Sequence, residues 1–179
     1  EDSSLSEVDV IASSGNFIIQ LIKRLGEKDY KPLIEISHSL AEEYGEKYIL
    51  NYNTIGKYFN REGSLPIIAR FQKQIIGYII GMPLELLSQE PWSRLDENYE
   101  KFNTLYTYAF VIQNKYKKNG YAKTLKKVYL NWAKKREGII FSTGHVKRGI
   151  CSKFKGKVEI INQIENWQGT GEIFEYYRR

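Results

Sequence analysis

The residues able to do chemistry in this chain fall into two groups. The first is one continuous run, Gln113-Asn114-Lys115-Tyr116-Lys117-Lys118-Asn119-Gly120-Tyr121-Ala122-Lys123. It sits between a strongly strand-like stretch and a strongly helical one. A helix N-terminus exposes about four unbonded N–H groups and about half a unit of positive charge. Gly120 and the small Ala122 let a ligand approach the backbone, and the lysines add point charges. The run therefore reads as a cradle for phosphate. It lacks the GxxxxGKS/T spacing of a P-loop and the GxGxxG dinucleotide fingerprint. The second group is scattered. His145 directly follows a predicted strand, and an ordinary histidine pKa of about 6.5 suits proton transfer at neutral pH. His38 falls inside a predicted helix and reads as structural. Tyr106 and Tyr108 share one strand face, either as an acid or as the wall of a pocket. Cys151 has no demonstrable histidine partner, which argues against a covalent mechanism. With one cysteine and two histidines in the chain, no metal site is expected.

The elements that must position these residues follow from periodicity. Residues 1–14 are Ser-rich, acidic and aperiodic, and read as a flexible leader. Residues 15–25 read as a first strand. Asp29 is placed as a helix N-cap with Pro32 in the first turn, and Leu33, Ile36, Leu40 and Tyr44 repeat at helical spacing up to Gly45. Residues 54–60 read as a short helix. Residues 65–70 and 75–82 read as an antiparallel pair ended by Pro83. Residues 84–102 form a partly helical insertion. Residues 104–113 are the clearest strand, β-branched and aromatic almost throughout. Residues 120–136 are the clearest helix, with Tyr121, Leu125, Val128, Tyr129 and Trp132 on one stripe and Lys123, Lys126, Lys127 and Lys134 outside it. Residues 139–143 read as a short strand, 146–154 as a short basic helix, and 158–167 with 172–178 as a closing hairpin. The sum is one α+β domain over residues 15–179.

Composition narrows the class. The 179 residues are 42% hydrophobic and 27% charged, which is globular. No run of about 18 apolar residues exists, and the acidic start is unlike a signal peptide. The chain opens on Glu1 rather than Met, leaving room for a segment removed upstream. A lone Cys151 excludes a disulfide scaffold and favours a reducing, cytoplasmic setting. The net charge is +6, but residues 113–157 hold 14 Lys/Arg against the single acidic Glu137. So basic a block implies an anionic partner, or else a plainly solvated face.

The block Lys117-Lys118-Asn119-Gly120-Tyr121-Ala122, after the strand ending Phe110-Val111-Ile112, resembles motif A of the GCN5-related N-acetyltransferase (GNAT) family. That family's pyrophosphate loop reads R/Q-x-x-G-x-G/A, and Lys117 stands where it has Arg or Gln. Tyr116 matches an aromatic often found just before the loop. "FIIQLIKRLGEKDYKPLIEIS" resembles the family's first strand and helix, and "LPIIARFQKQIIGYIIG" its second and third strands. The likeness spans about residues 15–178. It implies a mixed central sheet of six to seven strands flanked by about four helices. The fourth and fifth strands, 104–113 and 139–143, would splay around acetyl-CoA. It further implies that backbone groups of Phe110, Val111 and Ile112 bind the pantetheine arm, with an N–H near Ile112 on the thioester carbonyl. Lys117, Lys118, Asn119, Gly120, Tyr121, Ala122 and Lys123 would hold the pyrophosphate.

The resemblance implies direct transfer of acetyl to a primary amine, of a protein lysine, an N-terminus or a small molecule, and homodimers are common in such folds. Where some members place a glutamate base this chain has Tyr106. Where many place a tyrosine acid it has Ser152, with His145 where Asn is common. His145, Tyr106 and Tyr108 are the catalytic candidates. Acids of the insertion (Glu85, Glu90, Asp96, Glu97, Glu100) and of the hairpin (Glu159, Glu165, Glu172, Glu175) are expected to line an acceptor pocket or to face solvent. Two other classes compete. The missing glutamate and tyrosine fit an acyl-CoA-binding relative that has lost catalysis. Lysines interleaved with Tyr116, Tyr121, Tyr129 and Trp132 fit a nucleic-acid module less well, because three of those aromatics fall on the apolar stripe. No membrane partner is expected.

Overall fold

Twelve elements follow one another in the computed structural model, which describes residues 2–179. They are β1 (Glu7–Ser14), β2 (Phe17–Arg24), α1 (Tyr30–Tyr44), α2 (Ile55–Phe59), β3 (Leu65–Phe71), β4 (Gln74–Pro83), α3 (Pro91–Arg94), β5 (Thr104–Ile112), α4 (Tyr121–Lys135), β6 (Phe141–Lys147), β7 (Glu159–Ile164) and β8 (Phe174–Arg178). All eight strands join one sheet in the order β1-β2-β3-β4-β5-β6-β8-β7. Every neighbouring pair is antiparallel except β5 and β6, which run parallel.

The near-continuous apolar runs of β3 and β4 reflect a sheet covered on both faces. Ile68, Tyr78, Ile80 and Met82 pack with α1, α2 and the insertion. Ile67, Ala69, Ile76 and Ile79 pack with α4. Gln72 and Lys73 join the two strands with φ of +50° and +72°, as a two-residue turn matched to strand twist requires.

Five expectations are corrected. The sheet has eight strands rather than six to seven. Residues 7–14, expected to be loose, form the edge strand β1 against β2. Its exposed side chains are Glu7, Asp9, Ser13 and Ser14 with the one apolar Val10, so its apolar signal is weak, and Arg24 ties the preceding segment through Ser3 O (2.8 Å) and Leu5 O (2.9 Å). Strand β6 does not stop at Thr143 but runs to Lys147, because β8 pairs with residues 143–147; His145 is thus a strand residue. The basic helix expected at 146–154 shrinks to a 3₁₀ turn, Ile150–Lys153. At the start of α1, Asp29 makes no capping bond. Its carboxylate instead accepts from Ser6 Oγ (2.6 Å) and Arg70 Nη2 (2.9 Å), clamping β1, β3 and α1 together.

Candidate active site

Strands β5 and β6 pair only at Thr104–Tyr106 with Phe141–Thr143. Beyond that point they separate, and a cavity of about 350 Å³ opens between them. The separation has a local cause in β5. Its register with β4 slips between Ile80–Ala109 and Gly81–Thr107, so Tyr108 is an extra residue. Tyr108 and Ala109 consequently face the same core, breaking the alternation. Gly144 serves the opposite wall: a Cβ there would lie 2.5 Å from the Tyr177 hydroxyl.

Backbone alternation decides which amides face the gap. Gln113 N donates to Ile76 O at 2.7 Å, so Val111 and Ala109 also turn their polar groups toward β4. Phe110 and Ile112 turn theirs toward β6, where nothing pairs with them. Of the three residues expected to offer backbone to a ligand, Phe110 and Ile112 are so placed, and Val111 contributes its side chain to the wall.

At the α4 end the cavity meets the lysine run. Residues Asn114–Asn119 form a 3₁₀ turn, and Gly120 adopts φ +77° immediately before α4. A Cβ at Gly120 would meet nothing within 4 Å; the open side faces outward. The N–H groups of Tyr121, Ala122 and Lys123 lie in the first turn and have no acceptor among the described residues. Ring stacking of Tyr121 on Phe17 (4.3 Å between centroids) anchors this turn to β2. Lys117 and Ala122 line the cavity, whereas Lys118, Asn119 and Lys123 are exposed at its mouth. These groups fit a phosphorylated ligand entering from this side: free amides at a helix start, cations around them and no carboxylate among them.

At the α1 end the wall is aromatic. Tyr106 and His145 both line the cavity, and Tyr106 Oη lies 2.7 Å from His145 Nδ1. Trp167 stacks on His145 at 4.1 Å, and Trp92 covers Tyr106 at 4.3 Å. His145 Nε2 has no hydrogen-bond partner among the described residues. Burial, and after it the nearby Lys47, hold the imidazole well below its usual pKa, while burial holds the Tyr106 phenol well above its own. At neutral pH both groups are thereby held uncharged, and in the tautomer that carries its proton on Nε2 the phenol O–H donates to Nδ1. Tyr108 is not part of it. Its ring stacks on Tyr58 at 4.6 Å, and its hydroxyl makes no hydrogen bond.

The remaining candidates are separated from the cavity or engaged elsewhere. His38 is exposed on α1 rather than packed. Ser152 Oγ donates to Gly149 O at 2.7 Å, and burial pushes the Cys151 thiol up. The acids expected around an acceptor are largely structural ties. Glu85 caps the amides of Glu100 and Phe102, and Glu90 holds Lys47 and Trp92. Asp96 and Glu97 hold Arg178, and Glu175 accepts from Gly149 N. The carboxylate that does line the cavity is Glu43 of α1, which the sequence reading missed. Lys126 was missed too. It lines the cavity and is half-buried, although its place outside the apolar stripe suggested solvent. Its spacing of four from Ala122 was the available signal.

Free amides and lysines at a helix start that open into a gap between parallel strands, with a buried Tyr106–His145 pair at the far end, suit group transfer from a long phosphorylated donor. Residues 32–148 match the acetyltransferase (GNAT) family, and the chain belongs to it; that family uses acetyl-CoA. Solved structures with this fold include the ribosomal-protein-alanine N-acetyltransferase of Brucella melitensis (14% identity, 90% of this chain and 98% of that one, TM-score 0.67). Others are Ard1 from Thermoplasma volcanium (12%, 92% and 97%, 0.65) and Arabidopsis thaliana Naa50 bound to a CoA bisubstrate analogue (14%, 92% and 98%, 0.61). At these identities the likeness establishes the fold. A comparison with curated proteins finds no match. Among the described residues no helix is long and apolar enough to cross a membrane, and no group of acids, His and Cys could hold a metal ion.

Proposed function

We propose that this chain transfers the acetyl group of acetyl-CoA directly to the primary amine of a protein N-terminus, a lysine side chain or a small molecule, in the cytoplasm. The observation that carries the reading is the cavity itself, which has phosphate-binding chemistry at one end and the Tyr106–His145 pair at the other. In this reading the first-turn amides of α4 and Lys117 hold the pyrophosphate. The amides of Phe110 and Ile112 hold the arm, and one of them polarises the thioester carbonyl as a single oxyanion donor.

The amine attacks that carbonyl, the carbon–sulfur bond breaks, and the amine's surplus proton must leave. Tyr106 Oη can accept it, directly or through water, while passing its own proton to His145 Nδ1. Charging a buried imidazole is costly, so the pair is a weak base, and orientation of two bound reactants carries more of the rate. Single-domain architecture, with β1 joined to residues 15–179 and 84–102 as an insertion, belongs to the same reading. Protein N-termini are the first acceptors to try, because the Brucella relative is named for acting on a ribosomal-protein alanine.

Calorimetry with acetyl-CoA, with duplex DNA as the control ligand, tests the donor. A panel of peptides, polyamines and aminoglycosides tests the acceptor. Micromolar acetyl-CoA binding plus turnover on one amine supports the reading. Binding without turnover on any amine makes the chain an acyl-CoA sensor instead. DNA binding without CoA binding removes the enzyme reading.

A further inference from the structure

Acetyl transfer leaves one charge without an evident partner. When the carbon–sulfur bond breaks, the electron pair settles on the CoA sulfur, whose thiol resembles a cysteine of pKa about 8.5. The Tyr106–His145 pair stands at the α1 end, where the amine arrives. The turn Ile150–Lys153 offers only the self-bonded Ser152 and the protonated Cys151. The α4 wall differs. Its cavity-facing residues are Ala122, Lys126, Tyr129 and Leu130. Ala122 adjoins the phosphate cradle, and Tyr129 Oη is tied to Thr107 Oγ1 at 3.1 Å. Lys126 lies between these two levels along α4 and lines the same cavity as Phe110 and Ile112, whose amides face the gap. Its Nζ rests 3.5 Å over the Phe154 ring. None of the ion pairs among the described residues involves it. A half-buried ammonium in a ligand cavity, held by an aromatic face and by no carboxylate, is free to take an anionic partner.

We propose that Lys126 meets the leaving sulfur of CoA, stabilising the thiolate as the carbon–sulfur bond breaks and handing it a proton. The inference rests on the acetyl-transfer reading above. The step balances: sulfur gains the electron pair and a proton from Nζ, the amine's proton leaves by the Tyr106–His145 side, and Nζ is reprotonated from solvent. Several charged or titratable groups surround this position. Arg179 lies 4.7 Å from the Phe154 ring centroid, Lys117, Tyr129 and Tyr177 line the same cavity, and Cys151 is close enough to act on Lys126 through its charge. Burial, then Arg179, bring Lys126 down to about 8. That lies close to a thiol, so a proton moves between them with little bias.

A lysine one turn inside the helix could instead pair with the pyrophosphate, and the two roles separate without any acceptor. CoA is bound to the wild type, Lys126→Gln and Lys126→Arg. Affinity is measured by calorimetry, and ionisation of the bound thiol is followed by its ultraviolet thiolate absorbance. The expected result is CoA affinity within about threefold in all three, with the thiol ionising about one pH unit lower in the wild type and Lys126→Arg than in Lys126→Gln. On a productive amine, kcat of Lys126→Gln falls about a hundredfold. The same thiol titration in all three complexes overturns the proposal, as does a tenfold or greater loss of CoA affinity in Lys126→Gln without a change in thiol ionisation. A wild type that binds no CoA overturns the acetyl-transfer reading and this role together. A wild type that binds CoA with an unshifted thiol overturns the role of Lys126 alone.

Discussion

At the α4 end of the cavity the wall is mostly backbone: the first-turn amides of residues 121–123, Gly120 with its open side, and the unpaired amides of Phe110 and Ile112. At the α1 end the wall is side chain. Tyr106 from β5 and His145 from β6 line it, and behind them lie Trp92 from the insertion, Trp167 from the β7–β8 connection and Tyr48 from the segment after α1. A backbone site tolerates changes of side chain and fails when the main-chain path or its free space is altered. A side-chain site assembled from five segments fails when any of them moves. The two ends should therefore break differently, and mutations can separate them.

The largest effect is expected at Gly120. A Cβ there clashes with nothing, so Gly120→Asp should fold, although its positive φ costs about 1–2 kcal/mol. The carboxylate would stand next to the free first-turn amides and repel a phosphate approaching them. Acetyl-CoA affinity should drop at least about a hundredfold by calorimetry. Gly120→Ala, with similar backbone strain and no charge, should lose far less. Equal losses would mean that the loop conformation, not the anion site, was damaged.

Next comes the scaffold of the other end. Asp96 is buried, pairs with Arg178 at 3.1 Å and accepts from Tyr176 Oη at 2.5 Å. Tyr176 in turn packs on His145 at 4.7 Å. Asp96→Asn strips the charge from a buried pair and should cost about 3–5 kcal/mol in urea unfolding. An affinity for acetyl-CoA within about twofold of wild type, in the fraction that remains folded, is expected of a change confined to the α1 end. If CoA binding collapses in parallel, the two ends are not independent.

The pair itself should show in rate. Tyr106→Phe and His145→Gln should each lower kcat about a hundredfold on a productive amine while leaving CoA affinity within about threefold. His145 also sets a sign. Its folded pKa lies below the unfolded value of about 6.5, so the unfolded chain binds the extra proton first. Stability from this group is complete above about pH 6.5 and declines as pH falls toward the folded pKa. Thermal melts between about pH 6.5 and 5 should show a steeper loss for the wild type than for His145→Gln. Equal slopes would mean that the imidazole is not buried as a neutral group.

The same contrast explains what could be read from residues alone. The α4 end was legible because one local run, Lys117 to Ala122 between a strand and a helix, contains nearly all of it. The resemblance to motif A sits in that run, and so do the helix-start amides and lysines that fit a phosphate. His145 and Tyr106 were legible as types, but their hydrogen bond was not, since 39 positions separate them. It depends on β8 drawing β6 past Thr143. The edge strand β1 was hidden by polar outward residues. The acids of the insertion looked like a pocket because composition cannot tell a carboxylate that caps Glu100 N from one that meets a ligand. Glu43 was overlooked because nothing in α1 distinguishes it from its neighbour Glu42.

Glu43 gives the smallest effect and the finest comparison. It is the carboxylate on a cavity otherwise lined by Lys117 and Lys126, and it stands on α1, at the end away from those lysines. That polarity draws an ammonium toward the α1 mouth and a phosphate toward the α4 mouth. Glu43 is exposed, so its field is weakened by water and by salt. Glu43→Gln should raise KM for a cationic amine only about two- to threefold at low ionic strength, with kcat and acetyl-CoA affinity unchanged. The difference should vanish near 1 M salt, where the screening length falls to about 3 Å. A KM effect that persists at high salt would mean that Glu43 touches the acceptor directly. No effect at low salt would place the amine's entry elsewhere on the α1 side, away from the one acid that lines it.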